Sequence, residues 1–73
     1  MKVWLVERHW DLDVAIMGIY STREKAMRMA ESEAKTEKIK DFSWRSFNNS
    51  KTDMLLPCYD NDFFIYVAEM EVQ

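Results

Sequence analysis

His9, Asp11 and Asp13 stand at alternate positions of the chain. On an extended backbone they would share one side, and an imidazole with two carboxylates is a donor set that suits a divalent cation. The same residues also read as a polar hairpin turn, because Asp bonds its own backbone there, and the turn is the simpler account. Asp60-Asn61-Asp62 reads as a turn for the same reason. Cys58 is a candidate nucleophile with His9 as its base. That chemistry needs hydrogen-bond reach, an orienting group and an oxyanion site, and the neighbours of neither residue supply them. Cys58 is therefore expected to act as a small apolar side chain.

Other constellations are missing from the sequence itself. Gly18 is the single glycine, which excludes a glycine-rich phosphate loop and marks close packing within a strand. There is no Cys pair, His pair or H-E-x-x-H helix to hold a structural zinc within one chain. The expectation is a domain without catalytic residues, metal or cofactor, hence a non-enzymatic one.

Binding chemistry has more to work with. Arg23, Lys25 and Arg28, then Lys38, Lys40 and Arg45, make a basic field diluted by Glu. Phe42, Trp44 and Phe47 beside Arg45 are of the type that stacks bases. The pI near 5.0 opposes the usual basic footprint of nucleic-acid binders. The four-stranded RNA-binding module also needs two helices, and only one is legible here. Single-stranded nucleic-acid binding is therefore the lesser alternative. Charge is unevenly spread: the chain has ten Lys/Arg and thirteen Asp/Glu, and every Lys/Arg lies in residues 1–51. Residues 52–73 hold Asp53, Asp60, Asp62, Glu69 and Glu71 with no base between them. Such asymmetry suits a polar partner or a solvated edge.

Seventy-three residues allow one domain spanning 1–73 and one core. A chain this short buries only about 60% of the surface its unfolded form exposes. Apolar residues reach 48% and aromatics 14%, which argues against disorder. One thiol cannot form an internal disulfide and fits a reducing cytoplasm. The first residues meet charge after four apolar positions, so neither a signal-peptide core nor a membrane span is expected.

The elements that must position these residues follow from periodicity. Lys2 to Arg8 reads as a central strand, with Val3 and Leu5 opposite Trp4 and Val6. His9 to Asp13 reads as a turn. Asp13 to Tyr20 is a second strand, with Val14 and Ile16 opposite Ala15, Met17 and Ile19, pairing with the first as a hairpin. Ser21-Thr22-Arg23-Glu24 has the spacing of a capping box and predicts a helix over 22–38 with Ser21 as its cap. Ala26, Met27, Ala30 and Ala34 form its apolar stripe. Asp41 to Asn48 alternates Phe42 and Trp44 against Arg45 and Phe47. Met54 to Tyr59 is a short strand that Pro57 would confine to an edge. Phe63 to Val72 sets Phe64, Tyr66, Ala68, Met70 and Val72 against Phe63, Ile65, Val67, Glu69 and Glu71. The expected fold is α+β, one helix packed on a small antiparallel or mixed sheet, in the order β-β-α-β-(β)-β.

The run Ile16-Met17-Gly18-Ile19-Tyr20-Ser21-Thr22-Arg23-Glu24-Lys25-Ala26 resembles a signature of short bacteriophage and prophage proteins: an apolar strand, an aromatic-Ser-Thr corner and an E-K-A helix start. Tyr66-Val67-Ala68-Glu69-Met70-Glu71-Val72 resembles their last strand. The likeness covers roughly the first 35 residues and the last ten, a span that fits one small domain. Residues 39–62 are longer and more aromatic than that pattern. The resemblance implies a fold, a phage origin and hence the cytoplasm of a bacterial host, and carries no active site.

Ten aromatics either fill the core, with Trp10 and Tyr59 as partly exposed caps, or exceed what one sheet face of so small a domain can bury, which leaves a second apolar face exposed or covered by a partner. Aromatics, Met and Arg are enriched in interface cores. The expected function is that of a phage-type inhibitor, of the anti-CRISPR or anti-defence kind, which occludes a host protein complex. The contact surface is expected on residues 42–66 plus the acidic end of the last strand, with Trp44, Phe47 and Tyr59 as anchors and Asp60, Asp62, Glu69 and Glu71 as the acidic rim. The alternative is a homo-oligomeric domain with its second sheet face buried in a dimer.

Overall fold

A computed structural model describes residues 1–49, 51–58 and 62–72. It contains β1 (Lys2–Trp10), β2 (Asp13–Tyr20), α1 (Arg23–Thr36), β3 (Phe42–Phe47), β4 (Thr52–Pro57) and β5 (Phe63–Glu71). The five strands form one antiparallel sheet in the order β2-β1-β5-β4-β3, and α1 packs on one of its faces. The fold is α+β, as the pattern of the chain predicts.

Alternation in β1, β4 and β5 sends one set of side chains beneath the helix. Val6, Leu55, Phe63, Ile65 and Val67 are buried there against Ala26, Ala30 and Ala34. Three alanines at i, i+4 and i+8 make a flat stripe, so the helix can approach the sheet closely. Three polar contacts fix its position. Arg8 on β1 donates to Glu33 at 2.8 Å and lies 3.6 Å from Glu37. The Trp44 indole on β3 donates to Glu31 at 3.2 Å. Arg23, the first helical residue, reaches Asp53 on β4.

Several boundaries differ from the sequence reading, each for a local reason. β1 continues through His9 and Trp10 because these pair with Phe64 and Phe63 on β5, so the turn is only Asp11-Leu12. β4 is an interior strand between β3 and β5, not an edge. Pro57 is tolerated as its last residue, since the β4–β5 pairing ends at Leu55↔Ile65 and needs no N–H from it. The helix cap is Thr22, not Ser21. Thr22 has the extended backbone of a cap (φ −137°, ψ 152°), and its hydroxyl accepts from the Lys25 N–H at 3.2 Å. With Thr22 as cap, the position that a capping box fills with Glu or Gln holds Lys25, so no box forms. The helix then ends at Thr36, and Lys38 adopts φ 63°. The Ile39 N–H closes onto Ala34 O at 2.9 Å and the Lys38 N–H onto Lys35 O at 3.0 Å, the bonding pattern of a Schellman stop.

β2 departs most. Val6 pairs with Gly18, but Glu7 pairs with Ile16, so one extra residue is accommodated between them. Gly18 takes φ 154°, a backbone region that side chains disfavour. This bulge moves Ile19 onto the face of Val14 and Ile16, whereas strict alternation would have placed it opposite them.

Candidate functional site

Pairing across the sheet arranges the face away from the helix in rows. One row runs Ile19–Leu5–Ala68–Thr52–Phe47 and the next Ile16–Glu7–Tyr66–Met54–Arg45. Val14, His9 and Phe64 line up in a third, and Val3 sits beside Met70. No element covers these side chains among the described residues. Val14, Ile16 and Ile19 are 58, 69 and 62% exposed, and Met70 and Phe47 remain 44 and 42% exposed.

A polar cluster sits in the middle of this face. The His9 ring stacks on Phe64 with centroids 4.5 Å apart and meets Tyr66 edge-on at 5.3 Å. His9 Nε2 lies 3.2 Å from Glu7 Oε2. Glu7 and Arg45 are the only acid and the only Lys or Arg among the described strand residues of this face. His9 therefore has Glu7 as its neighbour, not Asp11 and Asp13, and no three His, Cys, Asp or Glu among the described residues gather as a metal site.

The other built polar site is structural in geometry. Asp53 is 1% exposed beneath the helix start. It accepts from Arg23 Nε and Nη2 at 2.7 Å each, and from the Ser46 hydroxyl at 2.7 Å. Arg23 holds the Asp53 carboxyl below the usual carboxylate range, with Ser46 adding to it and burial opposing. The pairing in turn raises the Arg23 guanidinium. Both carboxylate oxygens are engaged within the fold, which gives Asp53 the role of an internal anchor. Arg23 is thereby withdrawn from any basic helix surface shared with Lys25 and Arg28.

The residues expected as a contact surface do not converge. Trp44 lies under the helix, packed on the core and bonded to Glu31. Phe47 lies on the opposite face of the sheet. Glu69 is on the helix side, 3.8 Å from Lys2, and Glu71 holds the N-terminal ammonium at 3.0 Å. Asp62 lies seven residues before Glu69, about 24 Å away along β5, and its carbonyl accepts the Asp11 N–H at 2.7 Å. Tyr59 and Asp60 lie outside the described residues. Of the expected anchors and rim among the described residues, only Phe47 belongs to the open face. Met54, Tyr66 and Arg45 fall within the expected stretch 42–66 without being singled out as anchors or rim, and Val14, Ile16, Ile19 and Glu7 lie outside it. The available signal was the apolar character of both faces of the first two strands.

No curated protein and no solved structure matches this chain. One family matches it over residues 1–73, described as a domain of unknown function, DUF7336, and the chain belongs to that family.

Proposed function

For a member of a family defined by sequence and not by activity, the surface has to carry the reading, and we propose that this domain is a non-enzymatic module that binds another polypeptide through the open face of its sheet. The observation behind it is the uncovered apolar field of Val14, Ile16, Ile19, Met70 and Phe47 around the His9–Phe64–Tyr66 stack. The accessible surface of 5251 Å² is about a tenth above the roughly 4,800 Å² usual for a monomer of this mass. Contiguous exposed apolar surface marks interaction sites in small folded domains. The occupant is polypeptide in character and not nucleic acid. A single guanidinium, Arg45, faces a carboxylate, Glu7, across the field, and phosphate backbones require denser positive charge. Blocking a host protein complex, the phage-inhibitor form of this reading, rests on the resemblance of residues 16–26 and 66–72 and on the run of acids without a base in residues 52–73.

Site-specific photocrosslinking tests the proposal in cells. A photoreactive residue at Ile16 or Ile19 is expected to capture a polypeptide, and one at Lys25 or Arg28 on the outer helix face is not. Equal capture from both faces, or none from the sheet, overturns it.

A further inference from the structure

Resting on that reading, we infer that the polypeptide on the open face is a second copy of this chain, packed face to face about a two-fold axis parallel to β5. Sheets that pack this way keep their strands within about 30° of parallel and lie about 10 Å apart. A two-fold axis along the central strand keeps each row of side chains in its row and exchanges the two sides of the sheet. β2 of one copy then lies over β3 of the other, and β1 over β4, with β5 on β5.

The contents of the rows fit this exchange. In the row Ile19–Leu5–Ala68–Thr52–Phe47, Ile19 meets the other copy's Phe47, and Ala68 meets Ala68 at the axis. In the row Ile16–Glu7–Tyr66–Met54–Arg45, Tyr66 meets Tyr66. Arg45 lands above Ile16, one strand spacing of about 5 Å from Glu7 of the other copy. The acid and the base share a row and sit on opposite sides of the axis, so the pairing occurs twice. Were they in different rows, the same operation would not set them beside one another. Among the described residues Arg45 makes no ion pair within its own chain, and Glu7 bonds only His9, through one of its two oxygens.

Five strands about 4.8 Å apart and rows extending over about 24 Å give a flat footprint of about 600 Å². A stable interface buries about 800 Å² of accessible surface per partner, so the whole open face with its side-chain relief is needed. Val14, Ile16 and Ile19, at the rim of one copy, are then covered by β3 of the other.

Sedimentation equilibrium of the purified chain decides the matter. The wild type is expected at twice its 8.8 kDa at tens of micromolar. Glu7→Arg alone and Arg45→Glu alone each replace two attractions by two repulsions and should raise the dimer dissociation constant about a hundredfold. The double variant Glu7→Arg/Arg45→Glu should restore it. Ile16→Lys, at a position exposed in the monomer and so without consequence for folding, should also dissociate the dimer. A wild type that stays at monomer mass overturns the second-copy assignment, as does a dimer that the single reversals leave intact. Those results leave polypeptide binding to be judged by the crosslinking experiment, where a captured foreign chain and no capture at all are separate outcomes.

Discussion

Arg23 and Asp53 form an unequal pair. The Asp53 side chain is 2% exposed, whereas that of Arg23 is 44% exposed. Losing the base strands a buried charge with only the Ser46 hydroxyl, while losing the acid lets the guanidinium turn to water. Arg23→Ala is therefore expected to cost about 3 kcal/mol, and Asp53→Asn about 1–2 kcal/mol. Total stability for a chain of this length is on the order of 4–11 kcal/mol, so the first loss is a large fraction. The pH dependence has a definite sign. Arg23 holds the folded carboxyl below its unfolded value, so the unfolded state binds the proton first. The stabilisation is fully present above the unfolded value of about 4 and is lost as pH falls through the lower, folded value. Urea unfolding followed from neutral pH to about pH 3 should show a steeper acid loss in the wild type than in Asp53→Asn. Equal acid slopes, or an Arg23→Ala variant as stable as the wild type, would contradict this account.

At the scale of the element, the start of α1 is set by one residue's shift. Ser21 and Thr22 are both good caps by type. Arg23 must lie at the first helical position to reach Asp53, and this makes Thr22 the cap. Glu24 then lies in the first turn, where a negative charge suits the helix dipole. Thr22→Ala should lower stability by about 1 kcal/mol through the lost bond to Lys25. Ser21→Ala should stay within about 0.5 kcal/mol, as an exposed substitution away from any cap does. Thermal melts of the two variants check this, and a larger loss in Ser21→Ala would return the cap to Ser21.

For the whole molecule, the two faces of the sheet should respond differently to truncation. Ile65→Ala removes a fully buried side chain and is expected to cost about 2–5 kcal/mol at any concentration. Ile16→Ser with Ile19→Ser removes exposed apolar groups, and in dilute solution it should change stability by less than about 0.5 kcal/mol. At high concentration the pair should matter, because association stabilises the folded state by mass action. The wild-type melting temperature should rise with concentration, and that of the double variant should not. A concentration-independent wild type would mean that the open face is not covered by its own kind.

Alternation and periodicity in the sequence were enough to establish six elements, the α+β class, the alanine stripe and the two sets of side chains on β1 and β5. They act through nearest neighbours along the chain, where a period of two or 3.6 is written directly. Single boundaries required the partner strand: His9 and Trp10 belong to β1 because β5 extends beside them, and Pro57 is tolerated in an interior strand because the pairing with β5 stops before it. The candidate surface was decided almost entirely in three dimensions. Trp44, Glu69 and Phe47 look alike as interface residues in sequence, yet the sheet divides them between two faces, and Glu69 and Glu71 are engaged by Lys2 and the N-terminus. Ile19 reached the open face only through the bulge at Gly18. Glu7 and Arg45, thirty-eight positions apart by their numbers, share a row because β5 and β4 lie between them. Register across four strands is a sum of pairings between distant segments, and no local pattern in the chain carries that sum.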